Sequence, residues 1–152
     1  MKSIAIGCDP NAVQLKEDIK TCLTELGFTW KDYGSEDPVY ANVAIKVAEA
    51  VAAGEHERGI LLCGTGIGMS IAANKVPGAY AALISDAYSA ERACKSNNAN
   101  IMTIGALVVG TALAKTLVSI WMKSAYVPGG PSEKKIQRIF EYEKEILKRN
   151  NA

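Results

Sequence analysis

The run Cys63-Gly64-Thr65-Gly66-Ile67-Gly68 places a thiol before three glycines at alternate positions, directly after the apolar stretch 59–62. Glycines let a backbone turn tightly with its N–H groups exposed, and the free N–H groups and positive dipole end of a following helix attract an anion. A thiol at the mouth of such a turn shares that field, which favours thiolate and makes Cys63 a candidate base or nucleophile. The competing reading is a buried cysteine beside a structural glycine turn, since phosphate-loop and dinucleotide fingerprints need residues absent here. Thr65 and Ser70 are candidate hydroxyl ligands that turn and helix-capping roles explain equally well. Asp9, after the apolar run 3–8, is either a ligand or the N-cap of the next helix. Asn97 and Asn100 either bind or brace a loop.

The elements that must position these groups alternate short apolar runs with longer amphipathic ones, the pattern of βαβ units building a parallel sheet covered on both faces. Strands are expected over 3–8, 28–33, 59–63, 80–84 and 100–104, the second more polar and so at an edge. Helices are expected over 11–26, 39–53, 69–75, 87–95, 109–123 and 133–149, with Gly27 and Gly54 as stops. In an open parallel sheet ligands bind beyond the carboxyl ends of the strands, at the switch in strand order. That rule is expected to gather Asp9, residues 63–68, Ser85, Asp86 and residues 97–100 on one rim. A Pro-Gly-Gly-Pro break at 128–131 precedes the last helix, whose apolar face is expected to reach a second subunit.

The 152 residues suit one domain spanning 1–152, large enough to fold without disulfide or metal staples. A net charge of +1 gives no basic field for nucleic acid. No apolar run is long enough for a membrane span, and the first residues enter a strand pattern in place of a signal peptide. Cys8, Cys22, Cys63 and Cys94 show no metal spacing, which points to free thiols in the cytoplasm. His56 falls in a turn before the third strand and is expected to be solvated. Trp30, Trp121 and Met122 read as packing residues.

Gly7-Cys8-Asp9, the run from Cys63 to Gly78 (CGTGIGMSIAANKVPG), Asn97-Asn98-Ala99-Asn100 and the IG..VVG pattern at 104–110 are collinear along nearly the whole chain. In these it resembles the family of type B ribose-5-phosphate isomerases and galactose-6-phosphate isomerase subunits. The resemblance implies a Rossmann-like αβα sandwich with a five-stranded parallel sheet, a dimer or tetramer, no metal or cofactor, and aldose–ketose isomerisation of a pentose or hexose phosphate through a cis-enediol. It implies Cys63 as the base between C1 and C2, Thr65 as a helper in ring opening, and the amides of Gly64, Gly66, Ile67 and Gly68 among the donors of an anion hole. It further implies that Asp9 and Asn97 contact the sugar.

The chain departs from the family where charge is expected. Pro10 stands where the family has a histidine, and Ser96-Asn97-Asn98 replaces a His-Asn-Asn motif. Leu107 stands for an arginine, and residues 129–135 replace a GGRHxxR segment with Lys135 at its last basic position. Ser96 can hydrogen-bond a ring oxygen but is a poor proton shuttle at neutral pH, and neither leucine nor proline can replace an arginine fork on phosphate. Three readings stay open: a CGTG-bearing subunit of a heteromer, a homomeric isomerase for a different substrate with Lys75, Arg92, Lys95, Lys134, Lys135 or Arg138 supplying charge, and a non-catalytic sugar-binding relative. Residues 36–38 depart from the family's Asp-Tyr-Pro order, which leaves a sugar contact by Tyr40 open.

Overall fold

Alternate residues of the strands bury against opposite helix layers, and this places Cys63. The computed structural model describes residues 3–152. The chain runs β1 (Ile4–Cys8), a 3-10 turn (Pro10–Ala12), α1 (Val13–Glu25), β2 (Trp30–Asp32), α2 (Tyr40–Ala52), β3 (Arg58–Cys63), α3 (Ile67–Ala73), β4 (Ala81–Leu83), α4 (Ala87–Lys95), β5 (Ile101–Gly105), α5 (Thr111–Lys123) and α6 (Glu133–Asn150). All pairings are parallel, in the order β2-β1-β3-β5-β4. This is the covered parallel sheet expected from the periodicity and the Rossmann-like α/β architecture that the resemblance implied. Ile4, Ile6, Ile60, Leu62, Met102 and Ile104 pack with Ile19, Leu23, Leu117 and Trp121, which belong to α1 and α5. Ala5, Leu61, Cys63 and Ile101 face Val43, Val47 and Met69 of α2 and α3. Each fully buried aliphatic side chain contributes about 1.5–3 kcal/mol.

Polar pins hold the helices to the sheet. The Arg58 guanidinium donates to the Trp121 and Ser124 carbonyls at the end of α5, where a cation also meets the negative pole of the helix. The Asn74 side chain donates to the Ala81 carbonyl (2.9 Å) and accepts from the Ala81 N–H (2.8 Å), joining the end of α3 to β4. Lys16 on α1 is only 2% exposed and meets Asp32 of β2 at 2.8 Å, with Lys20 on the other carboxylate oxygen at 2.9 Å. Burial works against ionisation of Asp32, but hydrogen bonds from Lys16, the Gly34 N–H and Lys20 outweigh it and hold the carboxyl below its usual range.

Four placements differ from the sequence reading. Residues 97–100 lie at the amino ends of the strands, because they precede β5: the Asn100 carbonyl accepts from the Gly59 N–H and its side-chain oxygen from the Tyr80 N–H. His56 is buried, its two ring nitrogens bonded to Ser3 Oγ (2.7 Å) and Tyr33 Oη (2.8 Å), so the polar ring is satisfied without water. Trp30 lies largely on the surface, under the Lys20 ammonium, because β2 is an edge strand. The helix after the glycine run begins at Ile67, two residues early, since Gly66 already serves as its N-cap.

α6 docks on its own chain along one side. Ile136 is buried, Phe140 packs on Tyr80 at 5.0 Å, and Glu143 accepts from Tyr80 Oη (2.6 Å) and the Gly78 N–H (2.9 Å). Its other side exposes Ile139, Tyr142, Ile146 and Leu147.

Asp32→Ala strands a buried ammonium and is expected to lower stability by about 3–5 kcal/mol in urea unfolding, whereas Lys16→Met combined with Asp32→Ala costs clearly less. Glu143→Ala is expected to raise amide hydrogen exchange in the second half of α6 while exchange in β1 and β3 stays unchanged.

Candidate active site

Between β1 and β3 the chain reverses its direction of travel across the sheet, and the loops leaving their carboxyl ends part to form a cleft of about 380 Å³. Asp9 from the first loop and Cys63, Gly64, Thr65, Ile67 and Gly68 from the second line it, with Tyr40 and Ile71 as an apolar wall. Of the expected groups, Asp9, Cys63, Gly64, Thr65, Ile67 and Gly68 thus share one concavity, while Gly66 is buried outside its lining. Cys63 is 5% exposed and borders the cleft, so its sulfur is shielded without being sealed in.

Local chemistry explains the shape of the loop. Gly66 has φ +78°, a left-handed conformation, and a Cβ there would lie 2.9 Å from the Ile104 carbonyl carbon. That turn brings the Gly66 N–H to Cys63 Sγ at 3.1 Å, where it donates to the sulfur. The Ile67 N–H donates to Thr65 Oγ1 at 3.2 Å, so the threonine hydroxyl accepts from the first residue of α3. Asp9 is buried, accepts from the Asn11 N–H at 3.0 Å, and thereby starts the turn that Pro10 enters. A carboxylate has about four acceptor positions, so Asp9 retains capacity for ligand hydroxyls.

Tyr40 is the functional candidate that sequence reasoning left open. Asp37 accepts from the Val39 N–H and the Asn42 side chain, fixing the start of α2. The Tyr40 ring then lies against Gly68, so closely that a Cβ at 68 would collide with it. The apolar-to-aromatic register of 39–40 and the glycine at 68 were the available signals.

The remaining expected residues lie elsewhere. Ser96 and Asn97 end α4 at the amino end of the sheet, with both N–H groups bonded to the Arg92 carbonyl. Asn97 shares a cavity there with Tyr80, Ile136 and Phe140, and Lys135 sits one residue from Ile136 on the first turn of α6. Across a strand of five or six residues this is roughly 17–20 Å from Cys63. Ser70 lies on α3, partly buried, outside the lining of the cleft. Leu107 is 78% exposed beside Gly64. Among the described residues no cationic side chain lines the cleft.

The other thiols offer no competing nucleophile. Burial pushes the Cys8 thiol up to about 11, and burial likewise raises Cys22 and Cys94. A second cleft of about 380 Å³ opens beside β2, but its buried cation, Lys16, is already engaged by Asp32. Among the described residues no three His, Cys, Asp or Glu side chains converge as metal ligands do, and no helix is long and apolar enough to cross a membrane. Chemically, the cleft offers a sulfur base candidate, unspent amide donors, a carboxylate and a hydroxyl.

Comparison with known proteins places this arrangement. The profile of the Ribose/Galactose Isomerase family matches residues 4–139. The chain is 48% identical over 147 residues to a D-erythrulose-4-phosphate isomerase of Pectobacterium atrosepticum, covering 94% of this chain and 96% of that one. It is 49% identical over 141 residues to a ribose-5-P isomerase B of Listeria innocua, covering 91% and 95%. The structure of Clostridium thermocellum ribose-5-phosphate isomerase B superposes with a TM-score of 0.89 at 42% identity, over 96% of this chain and 99% of that one. The chain belongs to the ribose/galactose isomerase family.

Proposed function

We propose that this protein is an aldose–ketose isomerase of sugar phosphates, with Cys63 as the base that carries a proton between adjacent carbons. The observation that carries the reading is the Gly66 N–H donating to Cys63 Sγ inside a cleft shared with Asp9 and Thr65. A donor on the sulfur favours negative charge there, and a base must sit within hydrogen-bond reach of the proton it takes.

The Cys63 thiolate removes the proton from the carbon beside the substrate carbonyl; the electron pair of that C–H bond forms the carbon–carbon double bond while the carbonyl π pair moves to oxygen, giving an enediolate. Free amides of the 64–68 loop face that oxygen and stabilise its charge. The thiol returns the proton to the former carbonyl carbon, the hydroxyl proton of the carbon first deprotonated passes to the enediolate oxygen, and that carbon becomes the new carbonyl, so the exchange is balanced without an external oxidant. Asp9 accepts from a sugar hydroxyl, Thr65 Oγ1 assists opening of the ring form, and the Tyr40 ring flanks the carbon chain. Pro10, next to Asp9 in the chain, has no backbone N–H to offer a ligand.

The phosphate needs cations that the cleft does not own. Lys135, Ser96 and Asn97 lie together at the opposite end of the sheet, and a second copy docked against the carboxyl rim brings that end to Cys63. The exposed Ile67, Ile71, Leu107 and Val108 on that rim are the apolar surface such a neighbour would cover. A homo-oligomer with shared sites is therefore the favoured assembly, and a related subunit carrying the family's histidine and arginines is the alternative neighbour. The two relatives named above are called after a four-carbon ketose phosphate and a five-carbon aldose phosphate, so we assign a substrate of four or five carbons, turned over in the cytoplasm.

Cys63→Ala is expected to reduce kcat on a panel of tetrose and pentose phosphates by at least about a thousandfold with an unchanged thermal midpoint; wild-type turnover by this variant would refute the base. Lys135→Ala is expected to lower kcat/KM about ten- to hundredfold. Co-refolding Cys63→Ala with Lys135→Ala is expected to restore about a quarter of wild-type turnover, as random dimers with one intact shared site require. No recovery would place both groups in separate functions.

A further inference from the structure

We infer that the segment leaving β5, through the backbone N–H groups of Ala106 and Leu107, is the element that aims two amides of the glycine loop at the reacting oxygen. This inference rests on the isomerase reading and adds to it which donors act and what holds them. The Ala106 N–H donates to the Cys63 carbonyl at 2.8 Å, and the Leu107 N–H donates to the Gly64 carbonyl at 3.0 Å. Within a trans peptide unit the C=O and N–H point in opposite directions, and the chain has no cis peptide bond among its described residues. Because the Cys63 carbonyl points to the β5 side, the Gly64 N–H of the same unit points away from it. The Gly64 carbonyl and the Thr65 N–H stand in the same relation.

β3 lies between β5 and β1 in the sheet, so away from β5 means toward β1, where Asp9 and the cleft are. Among the described residues neither the Gly64 N–H nor the Thr65 N–H has an acceptor in the protein. The next two amides are committed, Gly66 to the Cys63 sulfur and Ile67 to Thr65 Oγ1. The loop therefore presents two adjacent, unspent donors beside the sulfur, and their direction is set by a strap that never touches substrate. Close packing fixes the strap in turn: a Cβ at Gly105 would lie 2.6 Å from the Thr65 carbonyl carbon and oxygen. Ala106 and Leu107 are positioning residues, and they act through main-chain groups, which is why the side chain at 107 can be leucine and stand largely in solvent.

The test replaces the Leu107 amide with an ester by incorporating the corresponding α-hydroxy acid, which deletes one N–H and keeps the side chain. The same lesion at Val108, whose N–H serves the Gly105 carbonyl and not the loop, is the matched control. Both proteins are first checked for a wild-type far-UV spectrum and oligomeric state. The Leu107 ester is expected to lose about tenfold or more in kcat with KM within about twofold, and to lose affinity in the same proportion for an aldonohydroxamate phosphate, a planar mimic of the enediolate. The Val108 ester is expected to keep kcat and hydroxamate affinity within about twofold. Equal kcat for the two esters, or a loss confined to KM, would overturn the strap. In that case inactivity of Cys63→Ala would still uphold the isomerase reading, so the two claims fail separately. Should the Leu107 ester not fold, Ala106→Pro removes the companion N–H, and unchanged kcat in that variant overturns the inference equally.

Discussion

Parallel pairing of every strand is the constraint on which the rest of this molecule depends. It gives the sheet two unlike ends, since each strand delivers its loop to the carboxyl rim and receives the chain at the amino rim. Whatever follows a strand meets the other groups that follow strands, which is how Asp9 after β1 comes to face the thiol and glycine loop after β3. Whatever precedes a strand is carried to the far side. Ser96 and Asn97, although near in sequence to β5, are excluded from the cleft by the polarity of that one strand. Membership of the family follows from the whole arrangement, while the chemistry proposed for it rests on a few groups at one rim.

Much of the fold was legible because hydrophobic period and strand length leave few alternatives. Val43, Val47 and Val51 mark one face of α2, and the uninterrupted run of buried residues in β3 marks a central strand. The weak apolar content of residues 28–33 correctly gave an edge. Cys63, Thr65 and Asp9 were legible because they stand at the ends of clear strands. Less was readable where the answer lies in three-dimensional company. His56 looked like a surface residue in a polar turn, and its burial depends on Ser3 and Tyr33, which are remote in sequence. Tyr40 lay beside a departure from the family pattern, and only the close approach to Gly68 reveals its position on the cleft. Residues 97–100 fall at the other rim for a different reason: the carboxyl-end rule holds for loops that leave a strand, and this one follows α4 and leads into β5.

The loop itself shows how few groups need be special. A thiol gains an amide donor, a hydroxyl accepts from the first residue of a helix, and two further amides remain free, all because one residue adopts a left-handed conformation and two carbonyls are tied to the neighbouring strand exit. Side chains around it can vary without altering this backbone geometry. Leu107 illustrates the point, since its side chain sits beside Gly64 and is not required to bend the loop.

The side-chain amide of Asn74 has one more consequence. By offering an oxygen to the Ala81 N–H and an N–H to the Ala81 carbonyl, it imitates a sixth strand for a single residue and fills the outward hydrogen-bonding groups of Ala81. At the opposite border β2 is only three residues long and carries Lys31 and Asp32. Both margins of the sheet are thus poor templates for strand addition, one capped at a residue and the other short and charged. Sideways zippering, the route to fibrils, is disfavoured by the same few groups.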